Sequence, residues 1–369
     1  MVYSSKFFTS YMIYVLYLGG TVNITVHQRQ FNGKIHEVIP PDGGPFGGKS
    51  IDDAFYIFLS EICGRNVMEE LKTTELEECV DLFRDFETKK RSIRTKQTNK
   101  VVITLPLTLT ELVKKQHKTF ENAVEASRHK MSVIYSKQKL LISPEAFRDL
   151  FKPTLASLIR MIGESLDNPK LSDLRTILMV GGFSECELVQ DAIRDKIGTS
   201  NKLIIPNEAG LAVLKGAVLF GFQPKIVSRR IARLTYGVKN WVEWDANFHT
   251  VTKKVDINGQ KRCKDVFVKY VTRGDSIDMG HEFSKIFQPL IPDQTTVECS
   301  FYTSTDTNPR YTTDPTCQRF GTLTIQLPTH TRGQIIDIEE TLIFGNTAIL
   351  CRARDLRTGS TSEVQFGLL

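Results

Sequence analysis

Hydrophobic and polar positions alternate in two different styles along this chain, and the change of style divides it. Residues 11–30 read as a strand, a tight turn at Gly19-Gly20-Thr21, and a second strand in which Val22, Ile24 and Val26 alternate with Asn23, Thr25 and His27. A loop is expected over 40–45, where proline and glycine cluster, and Gly47-Gly48 follows it. From Ile51 the spacing of Phe55, Phe58, Leu59 and Ile62 predicts a helix. A charged helical stretch comes next over 74–95, and 101–105 reads as a strand ending at Pro106. Ser143-Pro144 supplies a hydroxyl N-cap and a proline at the first helical position. Behind it Phe147, Phe151, Leu155, Leu158, Ile159, Ile162 and Leu166 form one stripe, which Pro153 should kink or divide. The unbroken apolar run 176–180 predicts a fully buried strand that ends in Gly181-Gly182. A helix over 185–196, a short strand over 202–205 and a helix over 208–220 complete this part. Strand, glycine turn and helix in repetition is an α/β pattern.

Beyond Gly221 the alternation is short and two-residue, as at 297–301 and 323–327. Turn residues separate the runs at Asp293, Asn308-Pro309, Asp314-Pro315, Gly345-Asn346 and Thr358-Gly359. That texture predicts an antiparallel all-β sandwich. The expected organisation is an α/β domain over 1–223, a linker over 224–233 and the sandwich over 234–369. A length of 369 residues fits two compact domains.

Composition narrows the classes of function. With 41% hydrophobic and 24% charged residues the chain is no disordered polyelectrolyte. The net charge of +6 comes from 48 basic against 42 acidic residues. Its densest basic runs, Lys89-Lys90-Arg91 with Arg94 and Lys96, and Arg229-Arg230 with Arg233, are short and far apart. A nucleic-acid partner is therefore not expected. Seven cysteines, an odd number, stand singly with no two-residue spacing, which suits a reducing, cytoplasmic setting. The seven histidines are equally dispersed, and no metal site is expected. The apolar stretch 7–18 is interrupted at Thr9 and Ser10 and falls short of the roughly 20 residues a bilayer span needs. It reads as a buried strand, with a short secretory segment as the alternative, and no membrane partner is expected.

Three glycine turns, Gly19-Gly20-Thr21, Gly47-Gly48 and Gly181-Gly182, carry the candidate chemistry. A glycine pair behind a buried strand lets backbone amides approach a phosphate, and a following helix N-terminus adds partial positive charge. Taken singly, such pairs mostly just make turns. Glu87, Lys90 and Arg91, at i, i+3 and i+4, share one helix face.

Order and surroundings add more. Gly-Gly-Thr-Val-Asn-Ile-Thr-Val from Gly19 resembles the second phosphate loop of the actin-like ATPase superfamily, and Leu178-Met179-Val180-Gly181-Gly182-Phe183-Ser184 resembles its adenosine loop. Pro206-Asn207-Glu208-Ala209-Gly210 with Lys215-Gly216-Ala217-Val218-Leu219-Phe220-Gly221 is similar to its second connecting helix. Glu87-Thr88-Lys89-Lys90-Arg91 resembles the adenine clamp of the 70-kDa heat-shock proteins, in which arginine stacks on the base and the carboxylate takes ribose hydroxyls. Gly43-Gly44-Pro45-Phe46-Gly47 and Phe151-Lys152-Pro153-Thr154 resemble the type-12 branch of that family. Leu234-Thr235-Tyr236-Gly237-Val238 and Ala348-Ile349-Leu350-Cys351-Arg352-Ala353-Arg354-Asp355 resemble the first strand and closing hairpin of its substrate-binding sandwich.

The likeness runs from about residue 14 to the C-terminus and matches only the second of the family's two nucleotide lobes, plus a sandwich without a helical lid. It implies one lobe of an actin-like, ribonuclease-H-like ATPase fold followed by the β domain. It further implies weak recognition of ATP or ADP through Gly19, Gly20, Thr21, Glu87, Lys90, Arg91, Gly181, Gly182 and Phe183, with little place for magnesium. An extended polypeptide client, and a partner over the surface where the first lobe would pack, are implied as well. Several positions depart from the family. Leu16 stands where an aspartate holds the magnesium shell, Leu18 replaces a loop glycine, and Asn23 replaces an aspartate. Phe183 and Glu185 replace a polar residue and an arginine. The first phosphate loop, the lysine that positions the attacking water and the first connecting helix have no counterpart. Phosphoryl transfer depends on positioning and charge stabilisation, so no catalytic residue and no independent hydrolysis are expected. The first 18 residues match poorly, as either a mis-spliced start or a diverged paralogue would. The alternatives are a chaperone-like ATPase completed by another lobe, and a pseudo-ATPase scaffold that binds no nucleotide.

Overall fold

A computed structural model describes residues 11–17, 19–290, 294–327, 336–345 and 347–367. Leu18, the apolar stretch before Tyr11, and the turn residues Asp293 and Asn346 lie outside the described residues. Internal contacts separate two units. Among the described residues, one comprises 11–27 and 42–219, and the other 28–41 and those from Phe220 onward.

The first unit is mixed α/β. Strands β1 (Tyr11–Tyr17) and β2 (Val22–Arg29) flank the Gly19 turn; β3 (Ile35–Gly44), which belongs to the other unit up to Pro41, leads into α1 (Gly48–Cys63), α2 (Arg65–Thr74) and α3 (Leu76–Ser92). Then come β4 (Val101–Thr104), α4 (Leu107–His117), α5 (Phe120–Ala126), β5 (Val133–Ser136), β6 (Lys139–Ile142), α6 (Pro144–Asp149) and α7 (Lys152–Leu166). The rest is β7 (Thr176–Val180), α8 (Glu187–Ile197), β8 (Lys202–Ile204) and α9 (Ala212–Phe222). Its main sheet runs β2-β1-β7-β8, with β1–β7 and β7–β8 parallel, and a small antiparallel sheet orders β4-β6-β5.

Local chemistry explains most boundaries. Ser143 caps α6 by accepting from the Ala146 amide, and Pro153 opens α7, so the apolar stripe is divided into two helices. Cys79, Leu82, Phe86 and Lys90 form the buried face of α3, where Phe86 stacks on Phe55 of α1 with centroids 3.9 Å apart. Two expectations need correcting. Residues 40–44, expected as a loop, continue strand β3, because proline's fixed φ suits extended backbone. Glycine at 43 also admits a close approach, since a Cβ there would come 2.6 Å from the Val22 carbonyl. Strand β7 is only half buried: Ile177 and Met179 point into the core while their neighbours are partly exposed. Segment 107–142, silent in the sequence reading, supplies two helices and a hairpin.

The second unit contains an antiparallel β-sandwich. One sheet orders β11 (Lys254–Ile257), β12 (Gln260–Val271), β10 (Thr235–Glu243), β15 (Thr296–Ser304) and β16 (Cys317–Gln326). The other orders β14 (Glu282–Phe287), β17 (Ile338–Phe344), β18 (Ala348–Asp355) and β19 (Thr361–Gly367). Tyr236, Val238, Phe301 and Ile325 from one sheet meet Ile338, Leu342, Phe344 and Cys351 from the other in a common core. The stretch 224–233, expected as a linker, holds strand β9 (Val227–Ile231), which pairs with β3 at Ile35 and His36 and with β13 (Ser276–Asp278). Residues 28–41 belong to this unit through that pairing, which is long-range and leaves no local mark in the sequence.

Candidate nucleotide site

In the first unit a cavity of about 290 Å³ is lined by Gly19, Gly48, Asp52, Glu87, Lys90, Arg91, Gly182 and Phe183. Four elements build it: the turn after β1, the start of α1, the last turn of α3 and the turn after β7. The Gly19 carbonyl accepts from the Lys49 amide at 2.9 Å, which ties the first turn to the N-terminus of α1. At the other wall Gly181 has φ +95°, a conformation that L side chains rarely adopt. Its amide donates to the Ala209 carbonyl at 2.8 Å, and its own carbonyl accepts from the Ser184 amide and hydroxyl.

Lys90 is the centre of the electrostatics. It occupies the position where the α3 stripe demands a buried residue, and only 2% of it is exposed. A buried ammonium has to be paired. Its Nζ donates to Asp52 Oδ1 at 2.6 Å and to the Gly48 carbonyl at 3.1 Å, and it lies 2.5 Å from Glu87 Oε2. Arg91 Nε donates to Glu87 Oε1 at 2.7 Å. Burial alone would raise Glu87, but bonds from Lys90 and Arg91 outweigh it and hold the carboxyl below its usual range. Burial raises Asp52, and Lys90 offsets that only in part.

Two of the glycines lie against the cationic side chains. A Cβ on Gly48 would stand 3.3 Å from Lys90 Nζ, and one on Gly182 would stand 3.6 Å from the Arg91 guanidinium. Arg91 thus lies close over the Gly182 backbone, with half of its side chain exposed. These features fit a planar, polar ligand with an anionic end. They fit a metal less well: Leu16, at the end of β1 in register with Val180, offers no ligand atom. Among the described residues no three His, Cys, Asp or Glu side chains come together as a metal-binding set.

Of the residues expected from sequence, Gly19, Glu87, Lys90, Arg91, Gly182 and Phe183 meet at this cavity. Gly20, Thr21 and Gly181 stand beside it without lining it. The Phe183 ring is buried and packs near-parallel to Phe151 with centroids 6.3 Å apart. Sequence reasoning passed over Asp52. Its signal was available in the i, i+4 relation between Gly48 and Asp52, which puts both on one face of α1.

No protein-family model matches the chain. It is 33% identical over 357 residues to Heat shock 70 kDa protein 12A of Homo sapiens, and equally so to that of Mus musculus. It is 31% identical over 365 residues to Heat shock 70 kDa protein 12B of Homo sapiens. Each alignment covers 95% of this chain and 53% of the relative, so the chain spans about half the length of the curated relatives it matches.

Proposed function

The chain belongs to the heat shock 70 kDa protein 12A/12B-like family, and from that premise we propose that its first unit is a nucleotide-recognising lobe of the actin-like ATPase kind. In this reading ATP or ADP enters the cavity beside α3, Arg91 stacks on adenine, and the glycine backbones at 19, 48 and 182 leave room for the rest. The observation that carries it is the convergence of Glu87, Lys90 and Arg91 with those three glycines on one cavity. Binding is weak and owes little to magnesium, since Leu16 brings an apolar side chain to the strand end where a metal shell would need a carboxylate. For the same reason these residues do not hydrolyse ATP by themselves.

The sandwich, on this proposal, binds an extended polypeptide, supported by its likeness to a substrate-binding domain and by a strand-rich architecture suited to main-chain pairing. A partner covers α9, whose Leu214, Val218 and Leu219 are exposed and none of whose residues is buried. The setting is reducing and cytoplasmic, in keeping with seven free cysteines, six of them buried. No helix among the described residues is long and apolar enough to cross a membrane.

One observation favours a second reading, a scaffold that binds no nucleotide: Glu87, Lys90, Arg91 and Asp52 already satisfy one another. Calorimetric titration with ATP and ADP, with and without magnesium, separates the two. Heat that persists without magnesium and disappears in Arg91→Ala is the expected result. No heat at millimolar nucleotide would leave the scaffold.

A further inference from the structure

Within the β-rich unit, a cavity of about 140 Å³ lies where β9 and β13 meet the start of β10 and the end of β17. Ile277, Met279 and Phe344 give it apolar walls. Tyr236 joins them, with only 2% of its surface exposed and its ring held edge-on to Phe344 at a centroid distance of 5.1 Å. A buried phenol ordinarily finds a hydrogen-bond partner. The Tyr236 hydroxyl has none among the described residues, and the cavity is where a ligand can reach it.

The charged lining is unbalanced. Glu37 is set against two arginines, Arg230 and Arg233, which leaves one positive charge over. The carboxylate of Glu37 is already engaged, since its Oε2 accepts from the Ile231 amide at 2.9 Å. Arg233 is not: its exposed guanidinium makes no hydrogen bond and no ion pair among the described residues. It lies near enough to Tyr236 to counter in part the rise that burial gives the phenol. An uncommitted guanidinium beside an unpartnered hydroxyl, over an apolar pocket, is a donor set for a carboxylate carried on a small apolar body. Volume sets the size of that body, because a cavity of about 150 Å³ accepts a benzene ring. The single surplus charge suits a monoanion better than a neutral ligand or a dianion.

We infer that this cavity binds a small aromatic monocarboxylate, its ring against Met279 and Phe344 and its carboxylate bonded by Arg233 and Tyr236. The inference does not depend on the nucleotide reading.

The test titrates benzoate, and benzyl alcohol as its neutral counterpart, into the full chain by ligand-observed NMR. Benzoate should bind with a Kd of about 1 mM. Benzyl alcohol should bind about tenfold more weakly, the worth of one charge-assisted hydrogen bond. Arg233→Gln, a change at an exposed side chain, should bring benzoate down to the level of benzyl alcohol. Tyr236→Phe removes only the hydroxyl and should weaken benzoate about fivefold; tryptophan fluorescence checks that both variants are folded, and if Tyr236→Phe is not, Arg233→Gln decides. Equal binding of the two ligands by the unaltered chain would overturn the assignment. So would benzoate binding that Arg233→Gln leaves intact, or no benzoate binding at about 10 mM.

Discussion

Glu340 sits on the inward face of β17, between Ile338 and Leu342, with 5% of its surface exposed. Its Oε2 is buried without a hydrogen-bond partner among the described residues. Four titratable groups surround it. Tyr270 on β12 donates to the Glu340 backbone carbonyl at 2.9 Å, Cys299 on β15 offers its thiol, Cys351 lies on β18, and Lys285 on β14 is opposite in register. Burial pushes the Glu340 carboxyl from 4.5 up to about 7, and the thiol of Cys299 only partly counters this.

Between these two values the folded state keeps a proton that the unfolded chain has released. Stability is therefore full below about 4.5 and is lost as pH rises through 7. From pH 5 to pH 8 the loss amounts to about 2–3 kcal/mol. Both tryptophans, Trp241 and Trp244, lie in the β-rich unit, so urea unfolding followed by their fluorescence reports that unit alone. The unaltered chain should lose about 2–3 kcal/mol more over this range than Glu340→Gln, which keeps the shape and cannot ionise. A profile equally steep in Glu340→Gln would refute the reasoning, because the slope would then belong to other groups. So would a flat profile in the unaltered chain.

Removing Lys90 leaves Asp52 and Glu87 facing each other without their cation. Because both carboxylates are about one-third exposed, the cost should be nearer roughly 2 kcal/mol than the 3–5 of a fully buried pair. Thermal melting of Lys90→Ala followed by helical circular dichroism, which reports chiefly the first unit, measures it; a melting curve unchanged from the unaltered chain would show that the network contributes nothing. The uncovered helix α9 should make the isolated chain self-associate or bind an apolar-surface dye, and Leu214→Lys with Leu219→Lys should suppress both. A monodisperse chain that binds no dye would rule out that surface as a docking face.

Much of this protein is legible locally. Helical spacing alone puts Glu87, Lys90 and Arg91 on one face, Ser143 and Pro153 mark the two helices they open, and two-residue alternation separates the sandwich from the α/β part. The sequence also carries the family, because the glycine turns and their order survive in it. These features depend on neighbours within a turn or a strand. Tertiary structure alone decided the rest. It joined β9 to β3 across some two hundred residues and drew the segment 28–41 into the β-rich unit. It brought Asp52 against Lys90, which turned a surface-looking basic run into a buried, fully paired ammonium. It closed two sheets over Glu340, a residue that reads as one more polar position in an alternating strand. In each case a charge's behaviour follows from what packs against it, and that contact comes from chain too distant in sequence to leave a local signature.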